Sequence, residues 1–370
     1  MRSIFMTESK IRHMFPGGNT PFGFYSYYRY IIDPEKANRI FILKGGPGTG
    51  KSTIMKIVGQ KLARQGYDIE FMHCSSDNNS LDGIVVPRLK VAIIDGTAPH
   101  VVDPLYPGAI DEIINLGEFW NEEGIIEARE IILETSKRKK DCFERAYRYL
   151  RAAYEIKTDA EKILELALDR GQEAIFIHDL NTKLFGSSSP SGIPGKQRFL
   201  FASAITPNGL INYLDSLCTG NKVIRLYAPA GYNTNNILKC IKDEAVRKGF
   251  LTEAYYCPMS PDRIEHIVLP ELKISVITAK EYHDIDGINS ENVTTYNMDE
   301  FLNHDIITDF KPQLDFDKHC TDTIIQKAIE SIAMAKSYHD KLEKYYVKNI
   351  DFQQLTLARE KLADKILTYA

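Results

Sequence analysis

The sequence predicts an α/β fold: a mostly parallel sheet flanked by helices, present in duplicate, with an α-helical arm on each copy. Three observations predict it. A short apolar strand runs into a glycine-rich loop and then a helical pattern over residues 39–65. A second apolar stretch ending in a carboxylate, Lys90–Asp95, follows about forty residues after the loop. The whole region then recurs at a shift of 183 positions.

The bulk properties agree. At 370 residues and 42.1 kDa, the chain is long for one core and comfortable for two domains. It is 44% hydrophobic, 26% charged and 10% aromatic. That is the balance of a folded, water-soluble chain and not of a disordered, collagen-like or disulfide-dense one. A net charge of −4 gives no drive toward nucleic acid or an anionic membrane. No apolar run approaches roughly eighteen residues, so no membrane span is expected. Met1–Lys10 lacks an apolar signal segment, so secretion is not expected either. The six cysteines, Cys74, Cys142, Cys218, Cys240, Cys257 and Cys320, are scattered without a C-x-x-C pair. They read as reduced thiols of a cytoplasmic protein and not as a zinc site.

Ile40–Leu43 reads as a buried strand. Gly45-x-x-x-x-Gly50-Lys51-Ser52 then matches the phosphate-binding loop pattern without deviation. The bare pattern arises by chance in about one chain of this size in a hundred. From Thr53 to Gln65, Ile54, Ile57, Val58 and Leu62 share one helical face, and Gly66 is placed as the stop. Glycines let backbone N–H groups converge on phosphate oxygens, and the helix N-terminus adds its partial positive charge. Gly46, Pro47, Gly48, Thr49, Gly50, Lys51, Ser52 and Thr53 are therefore the expected nucleotide-binding residues. Lys51 is expected to reach the β- and γ-phosphates, and Ser52 with Asp95 to hold Mg²⁺. Asp77, in the stretch His73–Asp82 that leaves the second strand, is a candidate for contacting a second substrate or orienting a water. Its plainer reading is a solvated turn acid. Lys51, Asp95 and Asp77 make up the catalytic candidates.

On these residues the chain resembles the P-loop NTPase superfamily. Gly-Gly-Pro-Gly-Thr-Gly-Lys-Ser-Thr is similar both to the loops of AAA-type ATPases and helicases and to those of nucleotide and small-metabolite kinases. The chain as a whole is similar to a family of bacterial predicted ATPases of about this length. The superfamily resemblance covers residues 38–120 and implies an α/β nucleotide-binding fold using ATP and Mg²⁺.

Laying residues 44–100 on 227–283 gives 14 identities in 57 positions, where chance gives about three or four. They include Gly48/Gly231, Gly66/Gly249, Glu70/Glu253, Cys74/Cys257, Pro87/Pro270 and Lys90/Lys273. The second loop, however, reads Tyr227-Ala-Pro-Ala-Gly231-Tyr-Asn-Thr234-Asn235-Asn236. Thr234 stands where the first copy has Lys51, Asn233 for Gly50, Asn235 for Ser52 and Thr278 for Asp95. The charge, the metal hydroxyl and the acid are lost, so this copy is expected to keep the fold without hydrolysing nucleotide. Weak binding through neutral donors stays open. His100 and Asp103 recur as His283 and Asp286, which favours a loop role over catalysis. Asp77 becomes Ser260 and so tracks the chemistry. Pro16–Gly23 is a glycine-proline turn or a loop approaching the nucleotide.

The expected division is an active domain over 1–185 with an arm over about 122–172, a linker over 186–197, and a degenerate domain over 198–370 with an arm over about 320–370. The first arm lacks proline over 122–172 and is rich in Glu, Lys, Arg, Ala and Leu, which reads as helices or a helical hairpin, and 320–370 has the same character. Arg145, Arg148 and Arg151 share a face there, a solvated stripe or a source of an arginine finger. Glu173–Ile177 reads as a strand. Gly186–Gly195 reads as a flexible linker or a lid.

Three functions fit: an ATPase whose hydrolysis moves the arms or the inactive copy, a kinase using Asp77 as base, or a nucleotide-gated module acting on a protein partner. A nucleoside triphosphate is the expected ligand. A protein partner or a second copy of the chain is open.

Overall fold

The structure, a computed structural model, describes residues 9–98, 101–280, 285 and 290–370. The first copy runs β1 (Ile11–Met14), β2 (Gly17–Thr20), β3 (Gly23–Ser26), β4 (Arg39–Lys44), α1 (Lys51–Arg64), β5 (Ile69–Cys74), β6 (Asp77–Val86), β7 (Val91–Asp95) and β8 (Asp111–Asn115). Its arm is α2 (Glu122–Glu127), α3 (Arg129–Ala167) and α4 (Arg170–Phe185). The second copy runs β9 (Gln197–Leu200), β10 (Ser203–Thr206), β11 (Gly209–Asn212), α5 (Leu214–Cys218), β12 (Lys222–Tyr227), α6 (Asn235–Arg247), β13 (Thr252–Cys257), β14 (Ser260–Leu269), β15 (Ile274–Ala279) and β16 (Val293–Asn297). Its arm is α7 (His304–Asp309), α8 (Lys311–Val347) and α9 (Phe352–Leu367).

The duplication holds strand for strand. One six-stranded sheet has the order β1-β5-β6-β7-β4-β8 and the other β9-β13-β14-β15-β12-β16. Neighbours are parallel except at β6 and β14, which run antiparallel to both flanking strands. Even the bulges repeat, at Met72–Cys74 and at Tyr255–Cys257. So does the left-handed lysine that follows each short turn, Lys90 at φ 53° and Lys273 at φ 51°.

Three expectations are corrected. The stretch His73–Asp82 does not leave the sheet: His73 and Cys74 end β5, and from Asp77 it is strand β6, whose polar first residues hid the pattern of Leu81–Val86. Glu173–Ile177 is not a strand. It lies inside α4, which Asp169 caps by accepting from the N–H groups of Gly171 and Gln172. The first arm is dominated by a single helix of 39 residues, about 58 Å long, and its hairpin turn comes at Leu168–Asp169.

Alternation along β4 builds two cores at once. Ile40 and Ile42 face one cluster; Phe41 and Leu43 face another. The first cluster is shared between the copies. It joins Met72, Val85 and Ile94 of one sheet to Tyr255, Val268 and Ile277 of the other. At its centre Phe15 and Phe201 exchange backbone hydrogen bonds of 2.9 and 3.0 Å, in corresponding places of the two copies. Beside them Arg12 and Arg198 meet Glu70 and Glu253. Arg12 lies 2.8 Å from Glu70 and also pairs with Glu253; Arg198 lies 2.7 Å from Glu70 and 3.1 Å from Glu253. All four are nearly buried, so each charge depends on the others for the solvation it has lost. Burial alone would raise the Glu253 carboxyl, but the Arg12 and Arg198 guanidiniums outweigh it and hold that group well below the usual range.

The arms are exchanged. α9 of the second copy lies on the first sheet's helical side, where Leu355, Leu362, Ala363 and Ile366 join Ile54, Met55 and Leu62 of α1. The end of α3 and α4 of the first copy lie on the second sheet, where Leu164, Ala167, Leu180 and Phe185 join Ile237, Leu238 and Ile241 of α6. α3 and α8 pack along each other between them, through Ala146, Leu150, Ala153, Ala328 and Ile332. Each arm's turn is stitched to the opposite copy. Asn121 N–H donates to Asn349 O (2.7 Å) and Asp351 N–H to Phe119 O (2.9 Å). Asp169 N–H donates to Phe301 O and Asn303 N–H to Ala167 O, both 2.8 Å. Packing units therefore cross the division that the sequence copies suggest. Residues 186–196 form no helix or strand, and their end is pinned: Gly195 N–H donates to Val246 O at 2.8 Å.

Arg12→Leu alone strands two buried carboxylates against one remaining cation. It is expected to cost about 3–5 kcal/mol, read as a lower urea midpoint; an unchanged midpoint would show the cluster to be energetically idle. The pH dependence follows from two groups. Burial pushes His73, whose Nε2 sits 2.8 Å from His13 Nδ1, down from 6.5 to about 4. Glu253 is also depressed. In both cases the unfolded chain binds the proton more readily, so stability falls as pH falls. The His73 contribution is expected to be lost between pH 6.5 and about 4, and the Glu253 contribution below its ordinary 4.5. Thermal unfolding of wild type and His73→Phe across that range measures the first.

Candidate functional site

Residues 45–50 carry the chain from the end of β4 to the first turn of α1. Gly48 (φ 71°) and Gly50 (φ 81°) take left-handed backbone, which a side chain would strain. Thr49 Oγ1 donates to Gly46 O at 2.8 Å and closes the loop on itself. Lys51 Nζ donates to Gly45 O (2.8 Å) and Gly46 O (2.9 Å) and stands 3.7 Å from Asp95 Oδ2. Asp95 ends β7, which pairs in parallel with β4 at Leu43↔Asp95. Its other oxygen accepts from the backbone N–H and the hydroxyl of Thr97. Ser52 Oγ accepts from the Leu81 N–H at 3.0 Å, and Thr53 is exposed on the same turn. Ammonium, carboxylate and hydroxyl thus gather at the carboxyl end of the two central parallel strands. Asp95 and Ser52 are hard oxygen donors, which fits a magnesium ion whose remaining ligands are phosphate oxygens and water.

Asp77 is placed differently. It begins β6, accepts from Asn79 N–H and Ser80 Oγ, and lies 3.3 Å from Lys336 Nζ of α8. Its charge is tied to the exchanged arm. Asp103 is exposed, 3.3 Å from Lys44 Nζ; His100, His283 and Asp286 lie outside the described residues. Pro16–Gly23 contributes strand β2, whose buried Asn19 donates to Ser75 O and Ile205 O and accepts from Tyr147. That hairpin joins the copies. Arg145, Arg148 and Arg151 lie on an exposed face of α3.

Three acids escaped the sequence reading. Pairing of Gly83 with Ile94 puts Asp82 across from Asp95 on the neighbouring strand. Asp82 is buried, and its charge, after burial itself, pushes the Tyr28 hydroxyl and the Cys74 thiol well up. The only signal for it was that the second copy also has an acid there, Glu265. Glu343 of α8 and Glu173 of α4 lie near the two loops and belong to the opposite copies. No spacing rule connects either one to its loop.

The second loop keeps the backbone and changes the chemistry. Gly231 is still left-handed (φ 87°), but Asn233, in the place of Gly50, is not. Thr234 Oγ1 and Thr278 Oγ1 share a hydrogen bond of 2.6 Å where the first copy holds Lys51 and Asp95. Asn235 accepts from Ile264 N–H at 2.9 Å, as Ser52 accepts from Leu81. Glu173 is buried against this loop, accepting from the Tyr232 hydroxyl (2.9 Å) and the Asn236 amide (3.2 Å). A cavity of about 230 Å³ beside it carries Glu161, Glu165 and Glu173 as well as Lys162, Arg170 and Arg263, a balanced lining with no net pull on a phosphate.

Glu173→Ala would leave the buried Tyr232 hydroxyl without its acceptor, while the exposed Asn236 amide can turn to water. It is expected to cost about 1–3 kcal/mol in thermal or urea unfolding while leaving ligand binding at residues 45–53 unchanged, which equilibrium titration checks. Among known proteins, the family model described as Nephrocystin 3, N-terminal, matches residues 26–85, a span that encloses the first loop and β5. No curated protein matches the chain, and no solved structure matches it.

Proposed function

We propose that the chain is a Mg²⁺-dependent P-loop NTPase that binds and hydrolyses ATP at residues 45–53 of the first copy, while the second copy does not hydrolyse nucleotide. One observation carries this reading. The same strand–loop–helix backbone occurs twice, and only the first has an ammonium and a carboxylate, 3.7 Å apart, where the second has two hydroxyls. A neutral hydroxyl pair satisfies a fold; a half-buried lysine–aspartate pair beside left-handed glycines suits a triphosphate and its metal.

The residues divide the work. The N–H groups of Gly46 and of residues 48–52, the last two at the start of α1, take phosphate oxygens. Lys51 exchanges the Gly45 and Gly46 carbonyls for the terminal phosphates. Ser52 and Asp95 hold Mg²⁺, which neutralises charge on the β- and γ-phosphates when bound. Asp82, across from Asp95 on the neighbouring strand, is a further acid available for orienting the attacking water. Asp77, paired with Lys336, serves this reading less well than the sequence suggested, and a kinase relying on Asp77 as base loses support with it.

Phosphate release from ATP with Mg²⁺ and no added acceptor is the expected result. Turnover only on addition of a metabolite supports the kinase instead, and binding without any product supports a nucleotide-gated module. Lys51→Ala is expected to abolish high-affinity nucleotide binding. Asp95→Asn is expected to lower phosphate release on the order of a hundredfold with nucleotide still bound. Wild-type turnover from Lys51→Ala would refute the assignment.

A further inference from the structure

The loop at 45–50 has a neighbour on its outer side. The end of α8 and the start of α9 lie against it, although they belong to the second copy. A Cβ at Gly46 would stand 2.9 Å from Tyr346 Cε1. At Gly48 it would stand 2.9 Å from Val347 Cγ2 and 3.1 Å from the Glu343 carbonyl oxygen, and at Gly50 2.9 Å from Leu355 Cδ2. Close approach of the arm thus demands glycine at these places in addition to what a phosphate demands. Glu343 lies in this same stretch, 3.4 Å from His339 Nε2. Glu343 Cα would stand 3.4 Å from a Cβ at Gly48, so its carboxylate is carried beside the loop, where an anion competes with a phosphate for the amides of Gly46 and of residues 48–50. His339 and then Lys336 lower that carboxyl from its ordinary range.

The two copies differ in how firmly an acid is held at the loop. Glu173 is 4% exposed and fixed by Tyr232 and Asn236. The Glu343 side chain is 41% exposed and its partner is a histidine one turn away, so it can leave into water. Glu343 lies one turn before the end of α8, and the turn that follows is held by the two backbone bonds at Asn349 and Asp351 and by Trp120, whose ring centroid is 5.9 Å from that of Tyr346, before Leu355 enters the core.

We propose that the last turn of α8 and the turn joining it to α9 form a displaceable strap over the nucleotide loop, with Glu343 as an internal anion that an incoming nucleoside triphosphate expels. The inference rests on the reading of residues 45–53 as a nucleotide site and deepens it into a regulated one. The route to the other copy is material: α8 packs along α3, and α3 ends on the second loop, where Leu164 and Ala160 touch Gly231.

Trp120, the one tryptophan of the chain, reads the strap directly. Mg²⁺–ATP added to the wild type is expected to shift Trp120 emission and to speed amide exchange over residues 343–355. Glu343→Gln keeps the shape and removes the charge. It is expected to bind a fluorescent ATP analogue about tenfold more tightly, with Trp120 emission already shifted before nucleotide is added. Should that variant be unstable, the exchange experiment on the wild type decides alone. If nucleotide binds in a Lys51-dependent way but moves neither Trp120 nor the exchange of 343–355, and Glu343→Gln binds as the wild type does, the strap is refuted while the loop keeps its role. If neither protein takes up ATP, GTP or inorganic tripolyphosphate, the loop reading fails and the strap falls with it.

Discussion

Two arginines and two glutamates, nearly buried where the copies face each other, set the terms for everything around them. Arg12 and Glu70 come from adjacent strands of one sheet, Arg198 and Glu253 from adjacent strands of the other. Neither pair is closed within its own sheet, since each arginine also bonds the opposite glutamate. Four charges in a medium of low polarity tolerate little displacement. The two sheets are therefore held at one mutual position, which fixes the shared apolar cluster and the places where the long helices leave and return.

Given that register, the asymmetry of the two loops becomes intelligible. The backbone frame is the same in both: a strand, a left-handed glycine, a helix, and a hydrogen bond from β6 or β14 to the helix's first turn. The frame tolerates the exchange of Ser52 for Asn235 because either side chain offers an oxygen to the same N–H. It tolerates the exchange of Lys51 and Asp95 for two threonines because either pair satisfies itself. Fold and chemistry are thus separable at this position. The second copy keeps every bond the architecture needs and none of the charges that a triphosphate and its metal need.

Much of this was legible in the sequence, for physical reasons. The central strands β4 and β7 are continuous apolar runs, and Gly45–Ser52 is a pattern in which each residue has a steric or chemical duty. The two strands were read correctly, as was the helix expected over Thr53–Gln65, which begins at Lys51, and its stop at Gly66, which is left-handed at φ 85°. β6 was missed because its first four residues, Asp77–Ser80, are polar and pair across a bulge. Glu173–Ile177 misled because β-branched and aromatic residues favour strands locally, while the cap at Asp169 and packing on α6 decide for helix. The exchange of arms left no local trace. Helical periodicity says that a face will be covered and is silent on which sheet covers it, so Glu343 and Glu173 could not be assigned to the loops they approach.

The crossing of the arms also bears on why a copy without the lysine and the aspartate persists at all. In effect the molecule is a two-fold dimer written on a single chain, each protomer lending its last helices to the other. Cutting away the second copy would remove α9 from over α1 and leave Ile54, Met55 and Leu62 facing water. That copy is thus an obligate scaffold: it can carry threonines in place of charges, and it cannot lose its tail.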